Sequence, residues 1–242
     1  MSGLRRRLGL ARERPQKLPN ERDWERADRL EAVAAGRLPE LISDGAGLPF
    51  SPAALAATAP PLDPGDPAAA ALLAHLRQLA LRGPRDAAPP SLGGWRTLAR
   101  VDDEALFGLG RPPALVTVAM RLDVRRRTWS ATSASSGRPP RAVRDGIRAS
   151  AWRADPAHAI DPSETVLRVL VTEQSFAGGQ PARGRVLPPE VHLGADELVM
   201  RIFVTPRPGH QPGAPNPETP VLVALPEPVG ARRLLDGALL VG

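Results

Sequence analysis

The chain has 242 residues, of which 42% are hydrophobic and 24% are charged, so it is long and apolar enough to bury at least one core. It contains no cysteine, which excludes disulfides, thiolate catalysis, iron–sulfur clusters and cysteine-ligated zinc. The formal net charge of +6 directs attention to anionic partners, so the position of that charge along the chain matters.

Residues 1–19 hold most of the excess charge, with six basic residues, among them Arg5, Arg6 and Arg7, against one acidic residue. We interpret this segment as a basic flexible tail, which nucleic acid or an anionic lipid surface could bind. No apolar run of signal-peptide length follows the arginines, and no stretch of the chain is apolar enough for a transmembrane segment. These features predict a cytoplasmic protein.

Residues 20–91 are predicted to form a helical region. A first helix over residues 20–36 has Asn20 as its N-cap and Gly36 as its stop, and a short second helix is expected at residues 51–57.

The clearest helical signal covers residues 66–83. Asp66 is a candidate N-cap, Pro67 occupies the first helical position, and Gly83 follows the last turn. Leucines recur in between at helical spacing, so this helix is expected to bury one face. The Pro- and Gly-rich segment that follows predicts a domain boundary near residue 91.

From Trp95 onward the apolar period changes from that of a helix to that of a strand. Eight short runs are predicted to be strands: "WRTLARV", "EALFGLG", "ALVTVAMRLD", "RRTWSATSA", "ASAWRAD", "TVLRVLVTEQ", "ELVMRIFVTPR" and "PVLVALPEP". Because no helical segment lies between them, residues 92–242 are predicted to form an antiparallel β domain packed like a sandwich. The predicted fold class is therefore α+β, with a helical N-terminal region and about eight strands.

Candidate catalytic and metal-binding residues are scattered. The four histidines (His75, His158, His192 and His210) lack the spacing that aims two imidazoles at one metal, so no metal or other cofactor is predicted. No serine nucleophile motif or phosphate-binding loop is present. A hydrolase would need two of the carboxylates Glu173, Asp196, Glu218 and Glu227 to lie about 5 to 10 Å apart in a cleft.

Two groups of arginines are candidates for anion binding. Arg125, Arg126 and Arg127 lie at a predicted strand turn, and four more arginines follow at positions 141, 144, 148 and 153. Because Asp123, Asp145 and Asp155 are interleaved with them, a solvated sheet face is the favoured interpretation. The three strand tryptophans (Trp95, Trp129 and Trp152) are expected to fill the core rather than to line a ligand groove.

The segment "GHQPGAPNPETP" at residues 209–220 is predicted to be a long strand connection. The residues before its prolines, Asn216 and Thr219 among them, are restricted to extended or turn geometry. On this interpretation His210 and Glu218 are loop residues rather than parts of a site.

The last seventy or so residues include the segments "VLRVLVTEQSFAGG", "GRVLPPEV", "ELVMRIFVTPRPG" and "NPETPVLVALPEPVGARRLLDG". These segments resemble an uncharacterised family from high-GC Gram-positive bacteria, and the resemblance extends back to "GWRTLARVDDEALFG". The family has the patterns TE-x-x-Cys-A-x-G, Cys-x-x-NP-x-TP and L-x-EP-x-G-x-R-x-L-x-DG, and its members are often secreted or lipid-anchored. No activity is implied by the resemblance.

The chain differs from this family at both cysteines. Phe176 occupies the first cysteine position and Gly213 the second, so the pairing that the family implies predicts that these two residues lie close together. We expect a buried Phe176 to replace the covalent link by apolar packing.

The leading functional hypothesis is a non-enzymatic binding or interaction module with a protein partner. The alternatives are an electrostatic adaptor that binds nucleic acid or an anionic membrane surface through residues 1–19, and a carboxylate-based hydrolase.

Overall fold

The computed structural model describes residues 39–55, 60–81, 90–209 and 211–238. The predicted basic tail, the predicted helix over residues 20–36 and His210 lie outside the described residues.

The described residues form one α-helix, one 3₁₀ turn and thirteen strands. They are β1 (Leu41–Ser43), the 3₁₀ turn (Pro52–Leu55), α1 (Pro67–Ala80), β2 (Trp95–Arg100), β3 (Glu104–Leu109), β4 (Val116–Asp123), β5 (Thr128–Ser136), β6 (Arg141–Arg144), β7 (Ile147–Arg148), β8 (Ala151–Ala154), β9 (Val166–Thr172), β10 (Glu190–Leu193), β11 (Glu197–Arg201), β12 (Thr219–Ala224) and β13 (Arg233–Asp236).

Helix α1 begins as the sequence predicts. The Asp66 side chain accepts a hydrogen bond of 3.1 Å from the backbone N–H of Ala68, and Pro67 follows at the first helical position. Arg100 forms an ion pair with the same carboxylate, which ties the helix start to the end of β2. The predicted short helix at residues 51–57 appears as the 3₁₀ turn, capped by Ser51.

The first sheet is a four-stranded antiparallel meander in the order β2-β3-β4-β5. One face packs against α1 through a cluster that includes Leu72, Phe107 and Met120. The other face packs against the chain around Ile42 and Phe50. The central strands of this sheet are therefore buried on both faces.

Two three-stranded sheets share the second large core. Their orders are β12-β9-β8 and β10-β11-β13, and β11 and β13 form a parallel pair. Val169 and Val223 of the first sheet meet Leu198 and Met200 of the second in one buried cluster. The sequence predicts an antiparallel arrangement throughout, so the parallel pair is a correction.

The fourth sheet has the order β1-β6-β7 and joins strands from two distant parts of the chain. Its strand β1 comes from the region predicted to be helical, and it pairs with β6 from the predicted β domain. Residues 20–91 are therefore not helical throughout, because the chain at Leu41–Ser43 completes a sheet with residues a hundred positions later.

The β-rich fold is confirmed, and each of the eight predicted strand segments contains a strand. The structure differs in arrangement, since the described strands form four small sheets rather than one evident two-sheet sandwich. The strands that the sequence did not predict (β1, β6, β7, β10 and β13) have only two to four residues. Runs of that length are too short to establish a period of two.

Candidate binding loop

Asn216 fixes the backbone of the segment that follows β9. Its side-chain carbonyl accepts a hydrogen bond of 3.2 Å from the N–H of Ala177, and its amide donates to the carbonyls of Glu173 (3.0 Å) and Ser175 (2.5 Å). One side chain thus bonds to three backbone groups across about forty residues of sequence. These three hydrogen bonds require a side chain with two donors and one acceptor, which explains the asparagine at position 216.

Two further contacts fasten the same segment. The hydroxyl of Thr219 accepts a hydrogen bond of 2.8 Å from the N–H of Ala182. Glu173 and Arg185 form a bidentate ion pair with distances of 2.8 and 2.5 Å, and the Glu173 side chain is almost fully buried. Bidentate pairs of this kind have a fixed geometry, so the loop between residues 173 and 185 is held at both ends.

Two glycines in this loop allow close approach of the 211–219 connection. Gly178 and Gly179 have φ angles of +62° and +72°, which L side chains rarely adopt. A Cβ at Gly178 would lie 3.3 Å from Pro212, and one at Gly179 would lie 3.4 Å from Ala214. The loop and the connection therefore form one packed unit, which we call the Phe176 loop (residues 173–185 and 211–219).

Phe176 and Gly213 are neighbours in this unit. The ring Cε1 of Phe176 lies 3.9 Å from the position that a Cβ would occupy at Gly213. The expected proximity of the two positions is therefore observed. The expected burial of Phe176 is not observed, because 65% of the surface of this residue is exposed.

That exposure sets Phe176 apart from the other aromatic residues. The other three phenylalanines of the chain (Phe50, Phe107 and Phe203) are at most 1% exposed. Trp95 is buried in the first core, and Trp129 and Trp152 are partly buried against the two cores, so the predicted core role of the tryptophans is confirmed. Among the described residues, Phe176 is the one aromatic side chain that faces solvent.

Arginines bind three of the four carboxylates that were candidates for hydrolysis. Glu173 is paired with Arg185, Glu218 with Arg153 and Glu227 with Arg232. The Arg153 guanidinium lowers the pKa of Glu218, which is the opposite of what a general acid requires. The side chain of Asp196, the fourth candidate, has no hydrogen bond within the described residues, and only its backbone carbonyl is bonded, to the N–H of Arg233.

The arginines at positions 125–127 lie in the turn between β4 and β5. The Asp123 carboxylate accepts hydrogen bonds from the N–H groups of Arg125 and Arg126, and Arg127 has a φ of +54°. Asp123 lies 3.7 Å from the Arg126 guanidinium, and all three arginine residues are exposed. The turn therefore holds three cations together at one end of β5.

The second group of arginines does not form a shared patch. Arg141 is buried and bonded to Asp236 at 2.7 Å, Arg144 to Glu190 at 2.7 Å, and Arg153 to Glu218. Burial raises the pKa of the Asp236 carboxyl in spite of the adjacent guanidinium. Arg148 is partly buried, and desolvation, with Arg141 nearby, lowers its pKa.

Within the described ranges, no three histidine or acidic side chains are grouped as metal ligands would be. No helix of the described part is long and apolar enough to cross a membrane.

Comparison with protein-family models, with curated proteins and with solved structures finds no match for this chain.

Sequence reasoning missed the role of Asn216. It treated this residue only as one restricted by the proline that follows, whereas the structure uses its side chain as the clamp of the Phe176 loop. The NP-x-TP motif is the signal that could have identified this role, because Asn216 and Thr219 are the residues of the motif whose side chains bond to the loop.

Proposed function

We propose that this protein is a non-enzymatic interaction module that binds a protein partner through Phe176. The observation that carries the proposal is the exposure of one phenylalanine on a loop whose backbone is fastened by side chains of a distant segment. We further propose that the two three-stranded sheets around the second core pack as a β-sandwich that supports this loop.

A rigid exposed aromatic side chain has the properties of a binding anchor. Aromatic residues supply a large contact area at a small cost in conformational entropy, and they are frequent among the few residues that dominate binding energy. Because Asn216 and the Glu173–Arg185 pair already hold the loop, little backbone ordering remains to be lost on binding.

The surroundings of Phe176 favour an apolar pocket on the partner. On the connection the ring lies against Gly213, and the two residues that flank Gly213 in the chain, Pro212 and Ala214, carry no charge. An exposed ring beside an uncharged stretch of backbone suits insertion into an apolar cavity of a partner protein. A nucleic-acid site combines such a ring with cations that contact the phosphates.

The state of the carboxylates supports a binding role over a hydrolytic one. Glu173, Glu218 and Glu227 are each engaged by an arginine, so none is available as a general acid or a nucleophile without losing an ion pair.

Site-specific photo-crosslinking in the native host tests the proposal. A photoreactive amino acid at position 176 is expected to give a discrete adduct with one protein, and the same group at Leu222 serves as control because Leu222 is 63% exposed. The identified partner is then purified and its affinity measured for the unmodified chain and for Phe176→Ser. Adducts of equal yield and composition from positions 176 and 222 would count against the proposal.

A further inference from the structure

Among the described residues, strand β5 forms an edge of the first sheet. It is the last strand in the order β2-β3-β4-β5, and its backbone bonds within the described ranges are to β4 alone. Six of its nine residues are exposed. The outward N–H and C=O groups of such a strand can pair with another extended chain.

Most of the features that close such an edge in other proteins are missing from β5. The strand is longer than an average strand, and the residues "TWSATSASS" include no proline and no charge. α1 packs on one face of the sheet through Trp129 and Ala131 of β5. The one irregularity is a bulge at Thr132, which divides the strand into two four-residue halves that each stay paired with β4.

Cations stand at both ends of this uncharged edge. The turn before β5 carries Arg125, Arg126 and Arg127, and Arg138 follows Gly137 at the other end. Within the described residues only Arg126 of these four has a carboxylate within ion-pair distance, at 3.7 Å from Asp123. The edge is therefore neutral in the middle and positive at its two ends.

This charge pattern argues against pairing between two copies of the chain. An antiparallel pair of β5 strands would place the arginine turn of one copy beside Arg138 of the other. A parallel pair would place the two arginine turns side by side. Either orientation brings like charges together, which disfavours the association.

We propose that β5 binds an extended segment of a partner protein that carries acidic residues at both of its ends. The segment adds as a fifth strand, so that its backbone pairs with the outer edge of Thr128–Ser136 and its acidic ends meet the two groups of arginines. The small hydroxyl side chains of β5 leave room for larger side chains on the added strand. This site uses no residue of the Phe176 loop, so it stands or fails independently of the proposed function.

Amide hydrogen exchange on the full chain, followed by NMR, tests the proposal. The probe is a synthetic peptide of alternating threonine and valine with two acidic residues at each end. The matched control peptide has lysines in place of the acidic residues. We expect the acidic peptide to slow exchange within Thr128–Ser136 selectively, and the lysine peptide to bind about tenfold more weakly or not at all.

Two variants separate strand pairing from simple charge attraction. Ala134→Pro distorts the edge and is expected to abolish the protection while the arginines remain. The combined variant Arg125→Ser, Arg126→Ser and Arg127→Ser, which changes only exposed turn residues, is expected to weaken binding about tenfold with the strand intact. If Ala134→Pro does not fold, the turn variant alone carries the test. Protection outside β5, equal binding of both peptides, or equal protection by a DNA oligonucleotide would overturn the proposal.

Discussion

The Phe176 ring lies against Gly213, with its Cε1 atom 3.9 Å from the position of a Cβ at residue 213. The two residues are 37 positions apart in a chain without cysteine. The resemblance inferred from the sequence predicts that they occupy two cysteine positions of that family, and the two residues lie side by side although neither can form a covalent link.

The first prediction is that these positions accept a disulfide. The double variant Phe176→Cys, Gly213→Cys is expected to form an intramolecular bond on mild oxidation, because the family resemblance implies a cysteine pair at these positions. The ring edge, not the Cβ, of Phe176 lies within 4 Å of the Cβ position at Gly213, so the two segments must move slightly closer for the bond to form. The φ of Gly213 lies outside the left-handed region, so a cysteine fits the backbone. Electrophoretic mobility and thiol titration measure the bond.

A matched control uses the absence of other cysteines. The pair Phe176→Cys, Val124→Cys also places two thiols at exposed positions, but Val124 lies in the turn between β4 and β5, on a different sheet from the strand that precedes the Phe176 loop, and is expected to give no intramolecular bond. Two free thiols in the 176/213 variant after oxidation would show that the segments do not match the family's cysteine pair.

The second prediction concerns the clamp. Asn216→Ala removes three hydrogen bonds to the backbone and leaves the buried N–H of Ala177 without a partner, which is expected to lower the free energy of unfolding by about 2 kcal/mol. Asn216→Asp retains the acceptor for Ala177 and loses only the two donors. It is therefore expected to fall between the wild type and the alanine variant in urea denaturation. Equal stability of all three proteins would rule out a clamp.

The third prediction compares two bidentate ion pairs. Glu173→Gln breaks a buried pair with Arg185 and is expected to cost about 3 kcal/mol of stability. Glu218→Gln breaks an exposed pair with Arg153 and is expected to cost less than about 1 kcal/mol. Chemical denaturation of both variants at one pH gives the comparison. A larger loss from the exposed pair would contradict the conclusion that the buried Glu173–Arg185 pair holds the Phe176 loop.

The fourth prediction concerns pH and the start of α1. Arg100, and then the N–H groups of the first turn, lower the pKa of Asp66 below its ordinary value of 3.8. A depressed folded-state pKa stabilises the fold above pH 3.8, and this contribution is lost as the pH falls through the lower folded-state value.

Two variants resolve this contribution. Asp66→Ala is expected to cost about 1 kcal/mol at neutral pH through loss of the N-cap. Asp66→Asn keeps a capping oxygen but loses the charge that pairs with Arg100, so its deficit relative to the wild type is expected to shrink below pH 3.8. Urea denaturation over a series of pH values measures both differences. If the loss of unfolding free energy in Asp66→Asn did not change with pH, the charge of Asp66 would not contribute to stability and the prediction would be wrong.

The parts of the fold that depend on local sequence were predictable. The N-cap at Asp66 and the proline after it define the start of α1 without reference to the rest of the chain. The period of two in the longer strands likewise comes from side chains that alternate between a core and a second face.

The parts that depend on distant contacts were not predictable. Strand β1 has three residues and exists because β6 pairs with it, and the parallel partner of β11 is a short strand near the end of the described residues. The candidate site shows the same division. The sequence pointed to the position of Phe176, whereas the exposure of its ring and the clamp by Asn216 arise from contacts across about forty residues.

The central claim is that Phe176 anchors a protein partner. It is tested most directly by the affinity of the crosslinked and purified partner for the wild type, Phe176→Ala and Leu222→Ala. The two substitutions remove side chains of similar exposure, 65% and 63%. We predict that Phe176→Ala weakens binding by about 2 kcal/mol or more, which corresponds to roughly thirtyfold, and that Leu222→Ala leaves the dissociation constant within about twofold. An unchanged dissociation constant for Phe176→Ala would contradict the account.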